Sequence, residues 1–180
     1  AGQFPTLSAN MTFAKPSAGG GITTGDFDGD GSIDVVVTNP ATDNISFYRN
    51  LGHPKISTAQ FDARIDVAVS DNPGRIYSGD LDSDGKVDLM MYHGAGANAN
   101  TLTVFHNQST PGNISFMSFT LTLPGPGTIA HIDDLDGDSK PEILAVSESS
   151  DVLSIFKNNS VPGTLNSSAF AAPFNSAVAN

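Results

Sequence analysis

Twelve of the chain's 19 acidic residues fall in three nine-residue windows. They are Asp26, Asp28, Asp30 and Asp34; Asp80, Asp82, Asp84 and Asp88; and Asp134, Asp136, Asp138 and Glu142. Each window places acids at its first, third, fifth and ninth positions. Carboxylates on alternate residues of a tightly turned loop converge on one point, and they repel one another unless a cation lies among them. Calcium takes about six to eight hard oxygens in a tolerant geometry, and this donor set suits it better than magnesium, which keeps its waters. The seventh position, Ser32, Lys86 or Lys140, can add a backbone carbonyl. Gly31 and Gly85 stand where the chain must turn sharply, a conformation that glycine adopts without steric cost. The sequence therefore predicts three Ca²⁺ sites. The third is expected to be the weakest, because Ser139 replaces the turn glycine, Pro141 stiffens the exit and Glu142 is one methylene longer than Asp.

An EF-hand loop requires flanking helices and a bidentate Glu at its twelfth position. Here that position is Val37, Met91 or Ala145, and the runs that follow read as strands. The loops are thus of another kind, and a repeated scaffold must hold them. Asp26, Asp80 and Asp134 are evenly spaced along the chain, and a second block recurs as ISFYRN (45–50), LTVFHN (102–107) and LSIFKN (153–158). A Pro follows each block, at Pro54, Pro111 and Pro162.

Such repetition specifies one structural unit used several times. DVVVTN, DLMMYH and EILAVS are apolar runs too short for helices and are predicted as buried strands. The stretches 21–25, 75–79 and 128–132 before each loop read as a further strand. The second block reads as another, covered on both sides. A fourth strand is expected around Phe61, around Phe116 or Phe119, and around Phe170. The prediction is all-β: three four-stranded blades of a β-propeller, with a β-sandwich as the competing class. The chain is read as a single repeat domain, 1–180, with units at about 20–67, 73–123 and 126–175. Residues 1–19 form an extra N-terminal segment, in which Phe13 resembles the last strand of a preceding blade.

Other chemistry is poorly supported. The formal net charge is −11, so a nucleic-acid partner is not expected. Outside the three windows seven acids face six bases, and the acidity is local. No Cys is present, which excludes disulfides and thiolate chemistry, and no apolar run is long enough for a membrane helix. The chain begins at Ala1 without an initiator Met, as a processed chain or a fragment would. His53, His93, His106 and His131 show no metal-ligand spacing and read as structural or surface residues. Asp133 is an extra acid at a strand end. Phe and Tyr recur in register with the units and read as core, with Tyr77 and Tyr92 the candidates for stacking on a sugar. No residue set fills catalytic roles, and an enzyme is not expected. Asn-x-Ser/Thr sequons stand at Asn10, Asn44, Asn107, Asn113, Asn158 and Asn166.

The segments GDFDGDGSIDVVV and GDLDSDGKVDLMM resemble the FG-GAP and VCBS repeats, the calcium-loop blades also found in integrin α-chain propellers. LTVFHNQSTPG is similar to the late strand and turn of VCBS units. The resemblance extends over about residues 10 to 175. It implies a β-propeller whose calcium loop links the first two strands of each blade, in a secreted or cell-surface protein. Its expected work is protein or carbohydrate recognition and adhesion, with structural calcium. The alternatives are a subunit of an extracellular filament or sheath, and a non-catalytic accessory domain of a secreted enzyme. Three blades are fewer than the four to eight of closed propellers. A partial propeller, half of a six-bladed ring, and a head-to-tail filament all follow as expectations.

Overall fold

The computed structural model of the chain describes residues 20–52, 60–70, 72–94, 96–127 and 129–178. The strands are β1 (Ile22–Gly25), β2 (Asp34–Asn39), β3 (Asn44–Tyr48), β4 (Ile65–Ala68), β5 (Pro73–Gly79) and β6 (Asp88–His93). There follow β7 (Thr101–Asn107), β8 (Phe116–Thr122), β9 (Ile129–Asp133), β10 (Glu142–Ser147), β11 (Val152–Phe156) and β12 (Phe174–Ala177). They form three antiparallel sheets in the orders β1-β2-β3-β4, β5-β6-β7-β8 and β9-β10-β11-β12. Each sheet is one blade, and each acidic loop joins the first strand of its blade to the second. Two 3-10 turns, Glu148–Ser150 and Ser167–Ala169, are the helical elements with described bounds.

The three apolar runs that follow the loops are β2, β6 and β10, the second strands. Side chains alternate across a strand, so successive residues meet opposite neighbours. In β6, Met90 packs toward one side with Leu102, Val104 and Leu81, while Leu89 and Met91 pack toward the other. The hydrophobic core is accordingly divided between the blades. One cluster joins Phe27, Val36, Ile45 and Phe47 of blade 1 to Ile76, Leu89, Met91 and Phe105 of blade 2. A second joins Leu81, Met90, Leu102 and Val104 of blade 2 to Ala130, Ile143, Ala145 and Phe156 of blade 3. Phe27 and Phe47 meet edge to face at 5.9 Å, and Phe47 stacks on Phe116 at 5.4 Å. Buried apolar area at these two seams is the main stabilising term, and it ties each blade to its neighbour.

The fourth strands differ from expectation in two blades. Phe116 and Phe119 lie in β8 as predicted, but Phe61 and Phe170 precede β4 and β12. Each makes a single bridge to the end of the neighbouring block, Asn50 with Phe61 and Asn158 with Phe170. The actual edge strands, Ile-Asp-Val-Ala and Phe-Asn-Ser-Ala, are mostly exposed and carry little apolar signal. Residues 1–19, including Phe13 and Asn10, lie outside the described residues, as do His53 and Pro54.

Candidate metal centres

Strand ends fix both ends of each acidic loop. Asp26 follows β1, and Asp34 opens β2. The first carboxylate folds the loop back on itself: Asp26 accepts hydrogen bonds from the amides of Asp30 and Gly31 at 3.1 and 2.9 Å. Asp80 does the same for Asp84 and Gly85, and Asp134 for Gly137 and Ser139. The fifth residue tightens the next turn. Asp30, Asp84 and Asp138 accept from the amides of Ser32, Lys86 and Lys140 at 2.8, 2.9 and 3.0 Å. Gly31 and Gly85 take left-handed φ values of 89° and 88°, as the sharp turn requires. Ser139 adopts the same conformation with a φ of 67°. A second left-handed position, two residues earlier, is occupied by Gly29, Ser83 and Gly137.

The ninth carboxylate is a brace as well as a candidate ligand. Asp34 accepts from the amides of Phe27 and Asn50 at 3.0 and 2.7 Å. Asp88 accepts from Leu81 and Asn107 at 2.9 and 2.8 Å, and Glu142 from Leu135 and Asn158 at 3.0 and 3.3 Å. The same backbone positions are thus tied in all three blades. Burial pushes the Asp34 carboxyl up and the Asp88 carboxyl up to about 7. A buried carboxylate disfavours its own charge unless a positive partner is near.

Three acids converge in every loop. Oxygens of Asp26, Asp28 and Asp34 lie within 4.8 Å of one another, as do those of Asp80, Asp82 and Asp88, and of Asp134, Asp136 and Glu142. These are the first, third and ninth positions. Asp84 instead groups with Asp82 and His106, while Asp30 and Asp138 fall outside the converging sets. Asp82 is fully buried; the His106 ring nitrogen lies 3.4 Å from one of its oxygens, and no hydrogen bond of ordinary geometry reaches either. Its carboxyl is raised by that burial and by Asp84 beside it. A buried carboxylate without close hydrogen bonds is costly, and a divalent cation among these hard oxygens removes the cost. The donor set therefore fits calcium.

One residue class escaped the sequence reading. The position before the block's final Asn carries Arg49, His106 or Lys157, and each reaches the third-position acid of its own blade. Arg49 Nη1 is 3.5 Å from Asp28, and His106 Nε2 is 3.4 Å from Asp82. Lys157 Nζ reaches Asp136, and also Asp138 at 2.9 Å and Glu142 at 3.5 Å. Lys157 holds the Asp138 carboxyl below its usual range. The signal was available as a basic residue at one aligned position in all three units. Lys86, by contrast, turns its ammonium to the carbonyl of Ser109.

The remaining candidates have structural surroundings. His93 is buried and hydrogen-bonds Thr103 at 2.8 Å; His131 is exposed beside Asp133 at 3.8 Å. Tyr77 and Tyr92 are half-buried against the core of blades 2 and 3, and the Tyr77 hydroxyl accepts a bond from the Ala130 amide. Asn107 and Asn158, two of the sequon residues, are buried with their side chains bonded inside the fold. No helix is long and apolar enough to cross a membrane among the described residues.

Residues 26–91 match the FG-GAP-like repeat. The match runs from the first acid of loop 1 into the second strand of blade 2, so it covers the first two acidic loops. It supports the FG-GAP/VCBS resemblance, and the FG-GAP-like repeat is consistent with blades of a partial β-propeller. Comparison with curated proteins and with solved structures gave no match.

Proposed function

We propose that the chain is a calcium-braced propeller module that works by binding outside the cell, not by catalysis. The observation that carries the metal reading is Asp82, a fully buried carboxylate with no hydrogen bond of ordinary geometry on either oxygen and only the His106 ring 3.4 Å away, inside a triad repeated in each blade. The first, third and ninth acids of each loop would hold the cation. Asp30, Asp84 and Asp138 and the carbonyls of Ser32, Lys86 and Lys140 are further candidate ligands. Bound calcium supplies positive charge that lets the buried acids stay ionised and locks the loop between two strands. The third site is the weakest on this reading, because the side chains of Asp136 and Asp138 are 49% and 41% exposed and Lys157 already pairs with them.

Recognition of a protein or carbohydrate is the function that the FG-GAP-like match favours. A concavity of about 540 Å³ lies along the first strands of the three blades, lined in part by Arg75, Tyr77, Ser78 and His131. It offers a cation, a phenol edge and hydroxyls to a polar ligand. Calorimetric titration of metal-stripped protein with calcium should show binding, and saturation should raise the melting temperature. Asp82→Asn should remove one site. Heat-flat titration with an unchanged melting temperature would sink the calcium reading. A glycan and surface-protein array probed with the calcium-loaded chain then tests recognition, and a blank array counts against it.

A further inference from the structure

The two end faces of the three-blade stack are less covered than the equivalent faces inside it. This follows from comparing equivalent positions, blade by blade. Phe27 and Leu81 point forward into the next blade and are 0% exposed, whereas their counterpart Leu135 is 51% exposed. Val36 and Met90 are likewise fully buried, and the matching Leu144 of blade 3 is partly exposed. Ile45 and Leu102 are buried, and Leu153 is not. The backward face shows the reverse. Ile76 and Ala130 are each 4% exposed against the preceding blade, while Ile22 of blade 1 is 67% exposed. Leu89 and Ile143 are buried there, and Val35 is only partly covered.

A polar latch repeats with the same logic. Asn107 Nδ2 donates to Val87 O in its own blade and to Phe27 O in the blade before. Asn158 Nδ2 donates to Pro141 O and to Leu81 O in the same way. Asn50 makes the bond within its blade, to Ile33 O at 3.0 Å, and its second amide hydrogen has no partner among the described residues. The carbonyl that completes the series is that of Leu135. Blade 3 thus presents an apolar face and an acceptor position, and blade 1 presents the matching apolar face and a donor.

We propose that a second copy of this chain occupies these faces, with blade 1 of one copy seated on blade 3 of the other, Ile22 against Leu135. The seams between blades 1 and 2 and between blades 2 and 3 show that this contact is already built twice within the chain. A head-to-tail junction made twice between two copies closes on itself and gives six blades, inside the range at which propellers close. Leu135 lies in loop 3 between Asp134 and Asp136, but the proposal rests on the burial of its apolar side chain and not on the acids, so it stands apart from the metal reading.

Light scattering with sedimentation over a concentration series tests it on the intact, calcium-saturated chain. The expected mass is twice the 18.6 kDa of one chain. Leu135→Glu and Ile22→Glu change exposed residues and should each give a folded monomer, checked by circular dichroism and melting temperature. Mixing these two variants restores one intact junction, so a heterodimer should form where neither variant pairs alone. A wild-type chain that stays monomeric overturns the second copy as occupant and leaves the faces to further blades on one polypeptide. A dimer that survives either single substitution overturns the head-to-tail geometry, because a face-to-face pair needs only one of the two ends. A mass that grows without limit keeps the junction and overturns the closed ring. Metal titration is read separately, so loss of calcium binding leaves these outcomes distinguishable.

Discussion

The loops concentrate strain and charge at single residues. Gly31 and Gly85 hold left-handed φ values, and an added Cβ would meet no atom within 4 Å at either. Any loss on substitution by Ala therefore reports the backbone alone. Gly85→Ala should lower stability by about 1–2 kcal/mol in urea unfolding, the cost of a left-handed non-glycine residue. A loss near zero would show that the turn relaxes. Ser139 carries the same strain natively, and Ser139→Gly should raise stability by somewhat less than that, because glycine also adds freedom to the unfolded chain. The basic residue against each loop makes a second prediction. Lys157 sits among Asp136, Asp138 and Glu142, where a cation would compete with it. Lys157→Met should tighten calcium binding at loop 3 severalfold and lower the stability of the metal-free protein. Calorimetry on a variant lacking the acids of loops 1 and 2 isolates that site; weaker binding would show that the ammonium helps rather than competes.

At the scale of elements, the seams between blades are fastened by one buried amide each. Asn107 bridges two carbonyls on different blades and accepts the Ser109 amide at 2.8 Å. Asn107→Ala should cost about 2–4 kcal/mol, because it strands buried carbonyls and an amide of about 1–3 kcal/mol each, in part rescued by water. Asn50→Ala should cost less in a monomer, since the side-chain bonds of Asn50, to Ile33 O, Gly52 N and Gln60 Nε2, all stay within its own blade and are more exposed. Equal losses in chemical unfolding of dilute protein would remove the latch argument. The sequence showed where these elements lie. The second strands are buried on both sides and read as continuous apolar runs, so β2, β6 and β10 occupy the expected segments. The edge strands were less legible. In β4 and β12 few side chains are buried, so Phe61 and Phe170 drew attention to the bridges that precede the strands. The Asn latch was visible as the constant last residue of each block, but its carbonyl partners are 77 and 80 residues away in sequence, and no local pattern encodes them.

For the whole molecule, the repeat period made the number of blades legible, while the faces left at each end emerge only when equivalent residues are compared for burial. The same comparison explains why the charged loops and the apolar seams act together. Asp34 and Asp88 accept from the amides of Phe27 and Leu81, core residues of the two seams, so a change in loop charge is felt in the packing. Asp88 sets the direction of the pH response. Its folded carboxyl titrates at about 7, against 3.8 for an ordinary Asp, because burial disfavours its charge. Between those values the folded chain holds more protons than the unfolded one, so stability falls as pH rises. Asp34 and Asp82 are shifted in the same direction. The metal-stripped protein should therefore gain stability, on the order of a few kcal/mol, as pH falls from about 8 to about 5. Asp62 and Asp138 are shifted the other way by Arg49 and Lys157, so their contribution is lost only in stronger acid, below the ordinary Asp value. Calcium should invert the trend. A bound cation favours the ionised acids, and protons compete with it, so the loaded protein should lose stability over the same interval. Urea midpoints at stepwise pH, with and without calcium, separate the two slopes. A metal-stripped midpoint that falls on acidification would mean that these carboxylates are paired with charge some other way, and would remove the electrostatic reason for a metal in loop 2.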